Sequence, residues 1–248
     1  MTHGATGRLV LVATPIGNLQ DLSPRAVEAL RAADVIACED TRHTQILLHA
    51  HQMRKPLISY HEHNERTRAV ELAAQMQTGA IVALVSDAGT PAISDPGYRL
   101  IRAAIDAGVR VEWMPGPSAV LGALILSGLP LDQFTFVGFL PVKPGQRRNR
   151  LEQLRQERRT IVAFEAPQRL TKSLAAIREV YGDVMMAVCR ELTKLHEDIR
   201  RGPVEELLAH YAAHPPRGEI TLVFHPETAT NTPTGRPQED RRHVVHGN

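Results

Sequence analysis

The chain has 248 residues, 43% hydrophobic and 23% charged, with a formal net charge of +2. That balance describes an ordinary globular chain of one large or two small domains, and it excludes global disorder, collagen-like sequence and a coiled-coil rod. The longest apolar run, Ala119 to Leu126, contains Gly122 and falls well short of the ~18–20 residues that span a bilayer. A shorter run, Leu9 to Ala13, is closed by Thr14-Pro15 before it reaches the length of a signal-peptide core. Two cysteines, Cys38 and Cys189, sit in apolar segments without metal-ligand spacing, so a disulfide framework is not expected and the cytoplasm is the expected compartment.

In chain order, short β-branched runs alternate with amphipathic helical patterns. Strands are predicted at Leu9–Ala13, Asp34–Cys38, Leu57–Ser59, Ala80–Val85 and Val109–Met114. Between them fall helices from Ser23-Pro24 to Ala32, Thr41–His51, Asn64–Thr78 and Pro96–Ala107, several opened by a capping residue and closed by glycine. Continuous apolar strands separated by helices argue for a parallel sheet buried on both faces. After Pro115-Gly116-Pro117 the pattern changes. An apolar helix runs from Ser118 to about Ser127, followed by strands at Phe134–Gly138, Thr160–Glu165, Met185–Arg190 and Glu219–Phe224. Helices are predicted around Arg147–Glu157, Gln168–Tyr181 and Val204–Ala213. A short strand at His196–Arg200 lies too close to Arg190 for a helical crossover, so it should pair antiparallel and make this second sheet mixed. The expected organisation is a flexible N-terminus over 1–8, an N-terminal α/β domain over 9–117, a C-terminal α/β domain over 118–225 and a disordered Thr/Pro/Asn-rich tail over 226–248.

A dinucleotide fingerprint, a P-loop, a G-x-S-x-G elbow and an H-E-x-x-H helix are all missing. Gly and Pro instead cluster in three loops that each follow a predicted strand: Thr14–Leu19, Ser86–Gly97 and Pro115–Ala119. Glycine permits close backbone approach to a ligand and proline presets a turn, so three such loops at one sheet edge point to a shared small-molecule site. Polar loops also follow strands, at Glu39–Thr44, Tyr60–Glu65 and Arg190–Lys194, with Glu165 ending another strand. Asp40 or Thr41, and Asn64 or His63, equally suit helix capping. Histidines 43, 49, 51, 61 and 63 raise a metal site, but no carboxylate or cysteine completes a ligand spacing, and no metal is expected. The densest basic stretch, Lys143 to Arg159, holds seven bases against two acids. Such a run suits either a solvated helix face or a phosphate backbone. Arg42, Arg147, Arg148 and Arg150, with His61 and His63, are the candidate phosphate-backbone contacts.

Six motifs in order carry a resemblance: residues 11–19 (LVATPIGNL), 39–44 (EDTRHT), 59–64 (SYHEHN), 84–91 (LVSDAGTP), 94–98 (SDPGY) and 190–194 (RELTK). The chain resembles the bacterial ribosomal RNA small subunit methyltransferase I family of the tetrapyrrole methylase superfamily over roughly Leu9 to Phe224. Glu165-Ala166-Pro167-Gln168 departs from the Ser-Pro-His usual in that family. The resemblance implies a two-domain α/β fold, a homodimer, S-adenosylmethionine in the cleft between domains, and 2′-O-methylation of a cytidine in the decoding region of 16S rRNA within the 30S subunit. It also implies cofactor contacts at Pro15, Asp87, Gly89, Thr90, Ser118 and Ala119, then Glu165, Ala166 and Glu219. A ribose hydroxyl is a weak nucleophile that needs a base or cation beside it. Lys194 or Arg190 are the candidates, with Glu165 and Glu39 as alternatives; a surface ion pair with Glu191 would equally explain Lys194. Three rivals stand beside this reading: a methylase acting on a tetrapyrrole or corrinoid precursor, a non-catalytic RNA-binding ribosome-assembly protein of the same fold, and a His-rich metallohydrolase.

Overall fold

The computed structural model describes residues 7–227, so the expectations for residues 1–6 and 228–248 fall outside it. The first sheet contains β1 (Arg8–Val12), β2 (Val35–Cys38), β3 (Leu57–Ser59), β4 (Ile81–Leu84) and β5 (Arg110–Met114). Its order is β3-β2-β4-β1-β5, and every pairing is parallel. Four helices connect the strands: α1 (Pro24–Ala32), α2 (Thr41–Ala50), α3 (Glu65–Gln77) and α4 (Tyr98–Asp106). The period of two sorts each strand's side chains onto two cores. Val10, Val12, Ile36 and Ala83 pack with Leu30 and Leu47 on one face. Leu9, Ala37, Val82 and Leu84 pack with Leu72 and Leu100 on the other. With apolar side chains wanted on both faces, the strand sequences lose their polar alternation.

Caps set the helix starts. Ser23 accepts from the Ala26 N–H with Pro24 in the first turn, Asp40 accepts from Arg42, and Ser118 accepts from Leu121. Asn64 does not cap α3. Its side-chain oxygen accepts from the His61 N–H at 2.9 Å and its amide donates to the Ser59 carbonyl at 3.0 Å, which braces the loop after β3 instead.

The second sheet contains β6 (Phe134–Phe139), β7 (Thr160–Glu165), β8 (Met185–Arg190), β9 (Asp198–Pro203) and β10 (Ile220–Phe224), in the order β6-β7-β10-β8-β9. It is mixed: β6 and β7 are parallel, and the other three pairings are antiparallel. The strand expected at 196–200 lies at Asp198–Pro203 and pairs antiparallel with β8, as the short connection requires. Helices α6 (Pro144–Gln153), α7 (Leu170–Tyr181) and α8 (Val204–Ala213) cover one face, where Leu151, Leu174 and Leu207 meet Ile161, Val188 and Leu222. The apolar helix α5 (Ala119–Ser127) covers the other face through Val120, Ala123 and Leu124, which pack on Val162, Ala187 and Val223. Ile16, from the loop after β1, is buried in this same cluster and joins the two sheets.

Two predicted helices shift. The one expected at 147–157 begins three residues earlier, where Pro144 occupies the first turn, and ends at Gln153. The one expected from Gln168 opens as a single 3-10 turn, Pro167–Arg169, before α7 begins at Leu170.

Arg147 corrects the reading of the basic stretch. Its side chain is buried, and its guanidinium donates to the carbonyl oxygens of Pro141 and Val142, both at 3.4 Å, in the turn that enters α6. It holds that turn and is closed to RNA. Arg147→Ala should lower unfolding stability by about 1–3 kcal/mol, because the turn loses a buried, charged donor shared by two part-buried carbonyl bonds. Urea titration checks this, and RNA affinity of the folded fraction should not change.

Candidate active site

In a parallel sheet, the loops after the strands emerge along one edge. Here the loops after β1 and β4 are tied to each other. The Thr14 N–H donates to the Gly89 carbonyl at 2.9 Å and the Gly89 N–H returns to Thr14 at 3.1 Å. The Thr14 hydroxyl adds a bond to the Ser86 carbonyl at 3.1 Å. Gly89 has φ +84°, a conformation that favours glycine, and a Cβ there would lie 3.3 Å from Ile16. The Thr90 hydroxyl reaches the Pro117 carbonyl at 3.5 Å, bringing the loop after β5 into the same group.

Facing these loops are the ends of β7 and β8 and the start of β10. Because β10 runs antiparallel to both neighbours, its first residues meet their last ones. Between the two edges lies a cavity of about 460 Å³, within the ~300–1,000 Å³ range of small-molecule sites. Ile16, Val120, Phe164, Leu192 and Ile220 supply apolar wall. Of the predicted residues, Glu39, Asp87, Gly89, Thr90, Ser118, Ala119, Glu165, Ala166 and Glu219 all line it. Pro15 does not; it is buried beside Ile16, which does.

Lys194 and Arg190 are not among the lining residues. The Lys194 ammonium lies 2.9 Å from the Glu191 carboxylate and 3.0 Å from that of Glu219, an ion-pair cluster at the seam between the lobes. The surface-pair reading therefore describes it better than a catalytic one. Arg190 ends β8 opposite Asp198 in the ladder with β9. Glu165 lines the cavity, but its carboxylate is already engaged by the Ala166 N–H at 2.8 Å, the Arg169 guanidinium at 2.6 Å and the Ser173 hydroxyl. A buried carboxylate so compensated holds the end of β7 in place.

Three other carboxylates lack such compensation. Burial raises the Glu39 carboxyl, and neighbouring Asp87 adds to the rise. Burial, then the charges of Glu39 and Asp87, push the Asp95 carboxyl up to about 6 against a hydrogen bond from Ser86. Asp87 Oδ1 accepts the Asp40 N–H at 3.2 Å, which ties the loops after β2 and β4 together. This concentration of negative charge suits a cationic ligand. A second cavity of about 450 Å³ adjoins the first, shares Glu39, Ser94 and Asp95 with it, and continues to Glu62, Tyr98 and Arg99. Asp95 was legible as part of an Asp-Pro-Gly turn in the second Gly/Pro loop, but its place between two cavities was not. Phe139 and Phe164, which pack at 5.4 Å between ring centroids, had no sequence signal.

The RNA candidates scatter. Arg42 is almost fully exposed at the rim, forked onto Asp40 at 2.8 and 3.2 Å. His61 is half-buried, bonded to Asn64 and set edge-on to exposed His63 at 5.8 Å. Arg148 pairs with Glu179 at 2.8 Å, and Arg150 is exposed. Arg155 and Arg159 meet Glu152 and Glu157 within the stretch, and Arg158 meets Glu227 from beyond β10, so the charge run is partly balanced by acids both inside it and elsewhere in the fold. Among the described residues no group of three His, Cys, Asp or Glu is placed to hold a metal ion.

Residues 8–208 match the family model "Tetrapyrrole (Corrin/Porphyrin) Methylases". The chain is 52% identical over 223 residues to a Mesorhizobium japonicum protein named ribosomal RNA small subunit methyltransferase I, covering 89% of this chain and 76% of that one. A Thermotoga maritima protein of the same name is 46% identical over 218 residues, covering 88% and 98%. Among solved structures, a diphthine synthase superposes with a TM-score of 0.69 at 16% identity over 88% of this chain and 90% of that one, a likeness of fold. The chain belongs to the tetrapyrrole methylase family and is a methyltransferase. That finding overturns the metallohydrolase reading.

The seam between the lobes depends on Gly17. A Cβ there would lie 2.3 Å from Lys194 Cγ and 2.8 Å from Thr193 Oγ1. Gly17→Ala should cost about 1–3 kcal/mol through overpacking and should weaken ligand binding in the cavity by displacing Ile16. A thermal melt and a calorimetric titration of the same variant check both parts.

Proposed function

We propose that this methyltransferase takes its methyl group from S-adenosylmethionine and places it on the ribose 2′-oxygen of a cytidine in the decoding region of 16S rRNA within the 30S subunit. The observation that carries the reading is the cavity between two sheet edges, apolar along its walls and acidic at one end. The relatives' shared name supports an rRNA substrate over a tetrapyrrole one.

The chemistry of the cavity fits the donor. When bound, S-adenosylmethionine supplies an electrophilic methyl on a sulfonium centre whose positive charge disappears on transfer. The carboxylates of Asp87, Glu39 and Asp95 complement cationic groups, and Asp87 also stands ready to accept hydrogen bonds from an amino group. Gly89, Thr90, Ser118, Ala119 and Ala166 line the cavity and would hold a nucleoside-like ligand. Glu219 closes one side, and Pro15 sets the turn behind Ile16. Ile16, Val120, Phe164 and Leu192 exclude water, which favours a reaction that discharges its centre. The main contribution of these residues is alignment of the acceptor oxygen with the methyl group.

Exposed Arg42, Arg148 and Arg150 are available to phosphates, because exposed ion pairs are worth only ~0–1 kcal/mol and exchange readily. A cytoplasmic homodimer completes the reading. Leu121 and Ile125, one turn apart on α5, are 50% and 66% exposed and leave an apolar face for a second copy. Among the described residues, no helix is long and apolar enough to cross a membrane.

Isothermal titration should show one S-adenosylmethionine per chain, and Ala119→Phe, which fills the cavity, should abolish that binding while the protein stays folded. With labelled donor, the label should enter isolated 30S subunits and not corrinoid precursors, and mass-spectrometric mapping should find it on a cytidine ribose. Label in the precursors would support the tetrapyrrole reading, and absence of donor binding would support a non-catalytic assembly role. Arg42→Gln should reduce the slope of log affinity against log salt by roughly one phosphate contact, measured by filter binding on 30S subunits.

A further inference from the structure

We infer that Asp95 is the catalytic base, and that the second cavity seats the acceptor ribose whose hydroxyl proton Asp95 removes; this rests on the 2′-O-methylation reading above. Three residues, Glu39, Ser94 and Asp95, line both cavities. An acceptor entering from the second cavity must pass them to meet a methyl group held in the first. Only Glu39 and Asp95 of the three can take a proton at neutral pH.

Asp95 is the better placed. Glu39, on the loop after β2, is the more exposed of the two, whereas Asp95 is half-buried where the two spaces join. Among the described residues no cation forms an ion pair with Asp95, in contrast to Glu165, Glu191 and Glu219. Its loop is also held in an uncommon shape. Ala92 and Ser94 have φ of +69° and +65°, left-handed values that side chains other than glycine seldom adopt and that persist when the surroundings enforce them. A Cβ on Gly97 would lie 2.8 Å from that of Ala92, so the two ends of this short turn are pressed together around Asp95.

The groups around Asp95 come from the loops after β2, β3 and β4 and from α3 and α4. Glu39 follows β2, with His61 acting on Glu39 from the loop after β3. Asp87 and the Ser86 hydroxyl follow β4. Glu62 of the loop after β3 and Glu65, the first residue of α3, line the second cavity, and Arg99 of α4 is occupied by Glu65 at 2.8 Å. Burial and the two nearest carboxylates raise the Asp95 carboxyl from 3.8 to about 6. It is therefore ionised at neutral pH, yet more basic than an exposed aspartate. In the step itself the acceptor O–H bond would break toward Asp95 as the oxygen bonds the methyl carbon, and the methyl's bond to sulfur would break with its electron pair left on the departing neutral thioether. The negative charge of the carboxylate and the positive charge of the donor vanish together, so atoms and charge balance.

Single-turnover methylation of 30S subunits at saturating donor tests the assignment. The wild-type rate should climb about tenfold per pH unit along one acid limb and then level off. Asp95→Asn should lose this limb and roughly 10²–10⁴-fold in kcat, while Asp95→Glu restores part of the rate; a role limited to donor binding would raise KM and spare kcat. In the donor-free protein with 13C-labelled aspartate carboxyls, one resonance should titrate near pH 6 and be absent from Asp95→Asn. The sign of the shift also gives a check on folding. The folded pKa lies above the unfolded one, so ionised Asp95 costs stability, and the cost is complete above pH ~6. Asp95→Asn should therefore melt higher than wild type at pH 8, with the gap closing below pH ~4. A wild-type rate in Asp95→Asn, an Asp95 midpoint near 4, or loss of the acid limb in Glu39→Gln alone would overturn the assignment while leaving the methyl-transfer reading intact. Failure of the wild-type protein to methylate 30S subunits would instead overturn that reading.

Discussion

Thr14 and Gly89 exchange both of their backbone hydrogen bonds, and the cavity depends on that exchange. β1 and β4 are neighbours in a parallel ladder, so their following loops leave in the same direction and would ordinarily part at once. The paired amides keep them together beyond the end of the sheet. Ile16 is thereby carried out of the first lobe into the core of the second, where it packs with Val120, Leu124 and Leu192. One short bridge thus serves as a wall of the site and as an anchor between the lobes. Gly89 makes it possible, since its left-handed backbone leaves no room for a comfortable side chain against Ile16.

Charge at the cavity is distributed in two ways. Glu165, Glu191 and Glu219 are answered by Arg169, Lys194 and backbone amides, and these pairs fix the strand ends of the second lobe. Glu39, Asp87 and Asp95 face the same space with no ion-pair partner among the described residues, and two of them are held above the usual carboxylate range. Clustered like charges destabilise the fold locally, as is common where a site must receive an oppositely charged ligand. The carboxylates without an ion-pair partner are the ones left open to attract a cation, so the difference in pairing separates scaffold from chemistry.

The basic stretch from Lys143 to Arg159 shows how tertiary contacts change the meaning of a charge run. Arg147 turns inward onto two carbonyl groups. Arg148 finds Glu179 on α7, and Arg158 finds Glu227 beyond β10. Those acids are distant in sequence, so a local count could not include them. Lys194 follows the same logic. Its neighbour Glu191 was visible in the sequence, but Glu219 comes from 25 residues further on, and the three-way cluster places the ammonium at the seam.

By itself the sequence determined the elements and their order. Apolar runs without alternation marked strands buried on both faces, Ser23, Asp40 and Ser118 marked helix starts, and the short 190–200 connection forced an antiparallel partner for β8. Position-specific motifs also marked most of the cavity lining, from Asp87 and Gly89 to Ser118 and Ala166, because turn chemistry is local and leaves its signature in consecutive residues. Only the tertiary structure decided which polar groups are free to react. In the sequence Glu165 was a site candidate and Asp95 only part of a Gly/Pro loop, yet the first is enclosed by Arg169 and Ser173 and the second stands between two cavities. Compensation of a charge depends on groups brought close by folding rather than by the chain, and spacing along the sequence carries no record of that distance.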